Sequence, residues 1–501
     1  MSHTPLIEAL RDPRRYPHPV DAVEVAETHI SWVLLAGDFA YKIKKPLTLP
    51  FLDYGTLDKR RACCDAELRL NRRYAAELYL EVVPIGGSIE APVVGAEPAL
   101  DFAVKMRRFD EAHRLDHVCA RGELTPAHMR VLAHEIADFH RGAAVAPADA
   151  RFGVPERVLM PALANIDALR ALLPEEDRHR IAALEEWTLR EFASCEPALA
   201  HRKLAGCIRE CHGDLHLGNL ILAGERILPF DCIEFNDDFR WIDVASELAF
   251  TLVDLLDHEQ PALAAALLDE WLARTGDADA LRVLRFYAVY RALVRAKVAA
   301  IRAGQEQDAD IARRDREGAR IYLGLAGRLA APPPPALTIT HGVSGSGKSL
   351  AARARVLGDA RCATVRLRSD VERKRLFGLD ALAASGSALD AGIYTPEAHA
   401  ATYRRLAELA TTALQAGWSV VVDAAFLRRA ERDAFRHLAA SEAVAFSILA
   451  CEAPVEELRR RIAARKGDAS EATLAVLEKQ LGWVEPLAAD EAEFVARPPV
   501  A

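Results

Sequence analysis

The chain has 501 residues, 51% hydrophobic and 27% charged, with a formal net charge of −9. That length is too great for one ordinary core and predicts two to four domains, while the composition excludes disordered, collagen-like and membrane-spanning classes. Residues 336–501 carry 22 Lys+Arg against 21 Asp+Glu, a balance of +1 that leaves −10 for residues 1–335, so neither half is a polybasic module built to coat nucleic acid. The N-terminal stretch MSHTPLIEALRDPRRYPHPV lacks the apolar core of a secretory leader, and no run approaches the ~18 apolar residues of a spanning helix. The expectation is a cytoplasmic protein with no membrane partner. The nine cysteines are scattered and odd in number, without CxxC. Cys207, Cys211, His212 and Cys232 suggest zinc only weakly, because the sequence around His212 has a better use; reduced, mostly buried thiols are expected.

In chain order, residues 21–50 predict three strands, AVEVAE, HISWVLL and FAYKIKK, with a Gly37-Asp38 turn before the third. Residues 58–76 predict a helix, and LYLEVVPI and DFAVKMRRF predict further strands. From Thr125 to about His201 the pattern is helical, and it is helical again from roughly Val244 to Leu329. The four prolines 332–335 cannot enter a helix and form an extended spacer. Three segments follow: a domain at 1–329, with a small lobe at about 20–110 and a helical lobe at about 111–329; a linker at 330–335; and a second domain at 336–501.

Between the two helical stretches lies His212-Gly213-Asp214-Leu215-His216-Leu217-Gly218-Asn219, then Leu-Ile-Leu, a turn at Ala223-Gly224-Glu225 and IleLeuProPhe-Asp231. Asp-x-x-x-x-Asn, a hairpin and a second Asp is the spacing of a phosphoryl-transfer loop. One carboxylate reaches the acceptor hydroxyl while an amide and a second carboxylate hold Mg²⁺. Asp214 is the candidate base, Asn219 and Asp231 the candidate metal ligands, and His212 a structural brace.

After the linker, Gly342-Val343-Ser344-Gly345-Ser346-Gly347-Lys348-Ser349 fits G-x-x-x-x-G-K-[ST] between a β-rich run and a helical one. Such a loop turns backbone N–H groups around phosphates, with Lys348 as cation and Ser349 as a hydroxyl for Mg²⁺. Farther on, CATVRLRSD places Asp370 and Arg373 at a strand-to-helix junction, and WSVVVDAAF ends a strand at Asp423. LRRRIAARK carries Arg459, Arg460, Arg461, Arg465 and Lys466 on one predicted helix. Asp370 suits an acceptor-orienting role, Asp423 a carboxylate near Mg²⁺, and Arg461 with Arg465 the cations for a transferring phosphoryl. Arg459 and Arg460 read as solvated surface.

Residues 336–490 resemble the small P-loop kinases that include polynucleotide 5′-kinase, gluconate kinase and chloramphenicol phosphotransferase. That resemblance implies Asp370 as base, Arg373 as phosphate clamp and the arginine-rich helix as a lid. The H-G-D-L-H-x-G-N element makes residues 20–325 similar to aminoglycoside phosphotransferases and choline-kinase-like enzymes. The whole chain resembles bacterial two-domain proteins that join the two. The implied architecture is a two-lobed α+β protein-kinase-like domain followed by an α/β P-loop domain with a mainly parallel doubly wound sheet.

The same resemblance implies an ATP lysine on the third strand, Lys42 with Lys44 as the alternative, paired with Glu67, and a hinge at Arg107–Asp110 beside adenine. Glu27-Thr28-His29 stands where a glycine-rich phosphate loop would be expected. The implied cofactors are ATP and Mg²⁺, and the implied partners are small-molecule alcohols such as sugars or amino sugars. Asp254, Asp257, Glu259, Glu270 and Asp277 are candidates to receive a cationic acceptor in the first half. In the second, Arg366, Arg368, Arg373, Lys374 and Arg375 surround Asp370 and suit an anionic one. Two alternatives stay open: an ATP-binding regulator in which one half switches the other, and a nucleic-acid end kinase acting through the P-loop.

Overall fold

A computed structural model describes residues 4–49, 52–306, 308–381, 383, 392–464 and 471–496. Two compact units emerge: Met1–Leu124, Asp138–Arg157 and Arg202–Thr251 form one, and Thr125–Ala137, Val158–His201 and Leu252–Ala501 the other.

The first unit is built on a six-stranded antiparallel sheet in the spatial order Val23–Glu27, Ser31–Ala36, Phe39–Lys44, Asp101–Arg107, Tyr79–Gly87 and Pro92–Val94. Side chains alternate across a strand. Tyr41 and Ile43 therefore enter one apolar core with Leu6, Ile7, Leu34, Ile85 and Ala103. Lys42 and Lys44 point to the other face, which is covered by the helix Leu57–Ala75. That helix starts on Thr56, whose side chain accepts from the N–H of Lys59, and its buried row Arg60, Cys64, Glu67 and Asn71 repeats at helical spacing. Five of the six strands lie in the predicted segments. The short Pro92–Val94 strand was not expected, because three residues give too little alternation to detect.

The segment 211–219 of this unit is held between two small sheets. Ile208–Glu210 pairs with Trp241–Asp243, and Leu220–Ala223 pairs with Arg226–Pro229 through a turn where Gly224 has φ +64°.

The second unit carries a five-stranded parallel sheet in the order Thr364–Arg368, Ser419–Asp423, Ala336–His341, Ala445–Ala450 and Val495–Ala496. Val420, Val421 and Val422 are all buried, as expected for a strand covered on both faces. The same unit contains the helices Pro261–Thr275, Leu281–Gln305 and Ala309–Ala330, which precede the prolines in sequence. Trp418 Nε1 donates to the Leu281 carbonyl at 3.0 Å, and Arg285 donates to the Gly417 carbonyl at 3.1 Å. The stretch predicted as continuously helical from Val244 breaks at Gly276, a left-handed cap with φ +72°, and at each N-terminal Pro or Asp. Among the described residues no helix is long and apolar enough to cross a membrane.

Candidate active sites

In the first unit, Glu67 lies fully buried between two lysines. Lys42 Nζ bonds Glu67 Oε1 at 2.9 Å and also pairs with Asp231, while Lys44 pairs with Glu67 and Glu234. Tyr54 closes the group by donating to Glu234. Burial alone would pull both lysines down, but Asp231 and Glu67 for Lys42, and Glu234 and Glu67 for Lys44, more than offset it. Both stay well above the ordinary lysine value and remain charged. The two differ in outlook. Lys44 is entirely enclosed, whereas Lys42 meets Asp231, whose side chain is 44% exposed. Asp231 adopts φ +63°, a strained conformation for a non-glycine residue, and its N–H donates to the Tyr79 hydroxyl at 2.9 Å.

The loop 212–219 is fixed from beneath by Glu247. One carboxylate oxygen accepts the N–H groups of His212 at 2.7 Å and Gly213 at 2.8 Å; the other meets His140 Nε2 at 3.1 Å. Burial would raise the Glu247 carboxyl, but the His140 hydrogen bond and the N–H donors hold it below the usual range. His212 uses both ring nitrogens within the loop. Nδ1 accepts from the Asp214 N–H at 3.3 Å and Nε2 donates to the Phe230 carbonyl at 2.8 Å. Burial keeps its pKa below the ordinary value, so the ring is neutral. Zinc binding by His212 with Cys207, Cys211 and Cys232 is therefore set aside: the ring has no nitrogen to give, and burial pushes the Cys211 and Cys232 thiols up. Asn219 donates through Nδ2 to the Asp214 carbonyl at 2.9 Å and to its Oδ2 at 3.1 Å, which presents the amide oxygen on the other side. Asp214 and Asn219 are thus bonded to each other, and Asp231 is paired with Lys42.

Between the first two strands, Thr28 closes the turn by accepting from the Ser31 N–H and donating to its carbonyl, with no glycine present. Lys45 reaches back to the Thr28 carbonyl and to Glu27. Arg108 is tied to Glu24 and Asp110 caps a short helical turn.

In the second unit the strand Ala336–His341 leads through residues 342–347 into the helix Lys348–Leu357. Gly342 has φ +148°, and a Cβ there would lie 2.3 Å from the Cys451 carbonyl; Gly345 and Gly347 are left-handed at φ +84° and +95°. The Ser344 N–H donates to Gln480 Oε1 at 2.7 Å, and Lys348 Nζ bonds the Val343 carbonyl at 2.9 Å. Ser349 Oγ donates to Asp423 Oδ1 at 3.1 Å. The buried Asp423 Oδ2 and Ser346 Oγ have no hydrogen-bond partner. These oxygens without hydrogen bonds, beside a loop turned by three positive-φ glycines, fit a metal-bound nucleoside triphosphate.

Across the same cleft, of about 630 Å³, Asp370 is paired with Arg373 at 3.1 Å, and Arg373 stacks over Tyr394 at 5.3 Å. Arg461 bonds Glu457 at 2.7 Å and donates to the Gly345 carbonyl at 3.3 Å, which places it over the phosphate loop. Arg465 and Lys466 lie outside the described residues. Arg459 and Arg460 are engaged with Glu478 and Glu457 on the exposed face.

The basic residues around Asp370 do not form a cluster. Arg366 is bidentate to Asp269, Lys374 bonds the Ala381 carbonyl and Glu471, and Arg375 bonds Glu372 and the Ala273 carbonyl; of the five, Arg373 lines the cleft. Of the acidic set, Asp254 meets Arg295 and Tyr322, Glu270 meets Arg130 and Arg353, and Asp277 caps a helical turn. Sequence reasoning missed Glu234, Tyr54, Glu247, Gln480 and Asp269. Glu234 had a signal, three residues after Asp231; the others come from remote segments whose approach no local spacing encodes.

Residues 337–487 match the AAA domain family. Among solved structures, a choline/ethanolamine kinase family protein from Mesorhizobium loti is 17% identical, with a TM-score of 0.38, over 64% of this chain and 90% of its own. The Mycobacterium tuberculosis APS kinase CysC is 22% identical, with a TM-score of 0.26, over 34% of this chain and 92% of its own. At such levels the architecture rests on the sheets and loops described above. The proteins named Uncharacterized protein Rv2004c of M. tuberculosis and Uncharacterized protein Mb2027c of Mycobacterium bovis are each 31% identical over 93% of this chain and 92% of their own length. This chain belongs to the family of these mycobacterial proteins.

Proposed function

We propose that the protein is an ATP- and Mg²⁺-dependent phosphotransferase with two nucleotide sites, each transferring a phosphoryl group to an alcohol of a small molecule in the cytoplasm. The observation that carries this reading is the P-loop cleft, which Gly345, Gly347, Lys348, Ser349, Asp370 and Asp423 line together. There Lys348 and the loop N–H groups bind the phosphates, Ser349 and Asp423 hold the metal, and Asp370 orients the acceptor hydroxyl and takes its proton. Arg373 and Arg461 supply positive charge to the transferring group. Magnesium, when bound, shields the phosphate oxygens and polarises the bond that breaks. In the first unit Lys42, oriented by Glu67, takes the phosphates, Asn219 and Asp231 hold the metal, and Asp214 orients the acceptor. The free state of all nine cysteines accords with a reducing compartment.

The test is ADP release with Mg-ATP across pooled sugars, amino sugars, nucleosides and oligonucleotides, with Asp214→Ala and Lys348→Ala in parallel. Stimulation by one pool, abolished by one variant, supports the reading and identifies both the site and the acceptor class. Labelling of oligonucleotide 5′ ends that requires Lys348 would replace the small-molecule reading with end repair. No stimulation by any pool, with ATP still stabilising the fold through Lys348, would replace it with a nucleotide-dependent regulator.

A further inference from the structure

Asp423 sits at the end of a strand whose neighbour, Thr364–Arg368, directs a buried arginine toward it. Arg366 Nη1 lies 3.7 Å from Asp423 Oδ2 and donates to the Ser349 carbonyl at 3.4 Å, and Arg368 Nε stands 3.7 Å from the same Asp423 oxygen. Its remaining donors are held elsewhere: Nε and Nη2 bond the two oxygens of Asp269 at 3.1 and 2.6 Å. Both side chains are almost fully enclosed, at 6% and 4% exposure. Asp269 comes from the helix Pro261–Thr275, about a hundred residues before the strand it touches.

A bidentate carboxylate sets both the charge and the direction of a guanidinium. Without it, Arg366 would need to move less than ~1 Å to bond Asp423 directly, because charge-assisted hydrogen bonds settle near 2.8 Å. A buried cation joined to Asp423 would occupy the oxygen that is otherwise left without a hydrogen bond, and would repel a divalent ion. We propose that Asp269 is a positioning residue for the P-loop metal site, holding Arg366 so that Asp423 keeps an oxygen for the cation. This inference rests on the reading of Ser349 and Asp423 as metal-holding groups. It makes a helix that precedes the prolines part of the P-loop machinery.

The test uses the full chain, with Mn²⁺ as the probe and a non-hydrolysable ATP analogue, and follows bound Mn²⁺ by electron paramagnetic resonance. The measured quantity is the component that Lys348→Ala removes. Asp269→Asn is expected to weaken it by about tenfold or more, because a buried charge is left uncompensated beside the site. Arg366→Gln and the double variant Asp269→Asn/Arg366→Gln, which remove the Arg366 charge and leave Arg368 where it stands, are expected to bind within about twofold of wild type. Equal weakening by Asp269→Asn and Arg366→Gln would mean a merely structural role and overturn the proposal. Should Asp269→Asn fail to fold, the double variant decides: binding like wild type supports the proposal, and a tenfold loss overturns it. If Lys348→Ala removes no Mn²⁺ binding, the metal-site reading itself fails and the proposal falls with it.

Discussion

Replacing Glu67 by Gln keeps the shape of the side chain but removes the carboxylate shared by two buried lysines. Glu67 and Lys44 have no exposed surface, and Lys42 is 7% exposed. Breaking a buried ion pair by removing one partner costs about 3–5 kcal/mol. Here each lysine keeps one other carboxylate, Asp231 for Lys42 and Glu234 for Lys44, so the expected cost falls to about 2–3 kcal/mol. At roughly 2–4 °C per kcal/mol for a unit of this size, the melting transition of the first unit should drop by about 5–10 °C. The lysines are held above their ordinary value, so the stability they contribute is fully present below their unfolded pKa of about 10.4 and is lost only as pH rises through the folded one. The Glu67 effect should therefore be the same across about pH 6 to 9. Differential scanning calorimetry of wild type and variant, with and without ATP, checks both statements. A transition shifted by less than about 2 °C, or a shift confined to one end of that pH range, would refute the argument that Glu67 is the shared counter-ion.

Lys44→Met leaves the buried Glu234 without its cation, held by the Tyr54 hydroxyl alone, and should cost about 3–5 kcal/mol, whereas Lys42→Met should cost less stability but more nucleotide affinity, as thermal melts and fluorescent ATP-analogue titrations would show. Gly342→Ala should abolish the ATP-dependent thermal shift of the second unit, because its Cβ would meet the Cys451 carbonyl at 2.3 Å. Gly347→Ala, whose Cβ would meet nothing nearer than Arg461 Nη1 at 3.7 Å, should carry only backbone strain of about 1–2 kcal/mol. Burial holds the His212 pKa down, so the stability tied to its neutral ring is complete above its unfolded value of about 6.5 and declines as pH falls below it. Chemical denaturation from pH 7.5 to 5 should show that decline, and His212→Gln should flatten it. Glu247→Gln weakens the acceptor of two loop N–H groups and should destabilise the first unit by about 1.5–3 kcal/mol, with loss of any turnover that depends on Asp214.

Several features of this protein are properties of short segments and can be read from the chain alone. The alternation in FAYKIKK sends Lys42 and Lys44 to one face and Ile43 to the other whatever surrounds the strand. The glycines at 342, 345 and 347 mark backbone that no other residue adopts easily, and Asp214, Asn219 and Asp231 are joined by one loop and one hairpin. Other features needed the tertiary structure, because they are meetings between distant segments whose energy depends on exclusion from water. Glu67 reaches both lysines across 25 and 23 residues, and Glu234 reaches Lys44 across 190. The basic residues flanking Asp370 looked like one patch in sequence, yet packing directs Arg366 to Asp269 and Lys374 to Glu471. A buried charge must find its counter-charge wherever the fold supplies one. That requirement ties the helices before the prolines to the sheet after them.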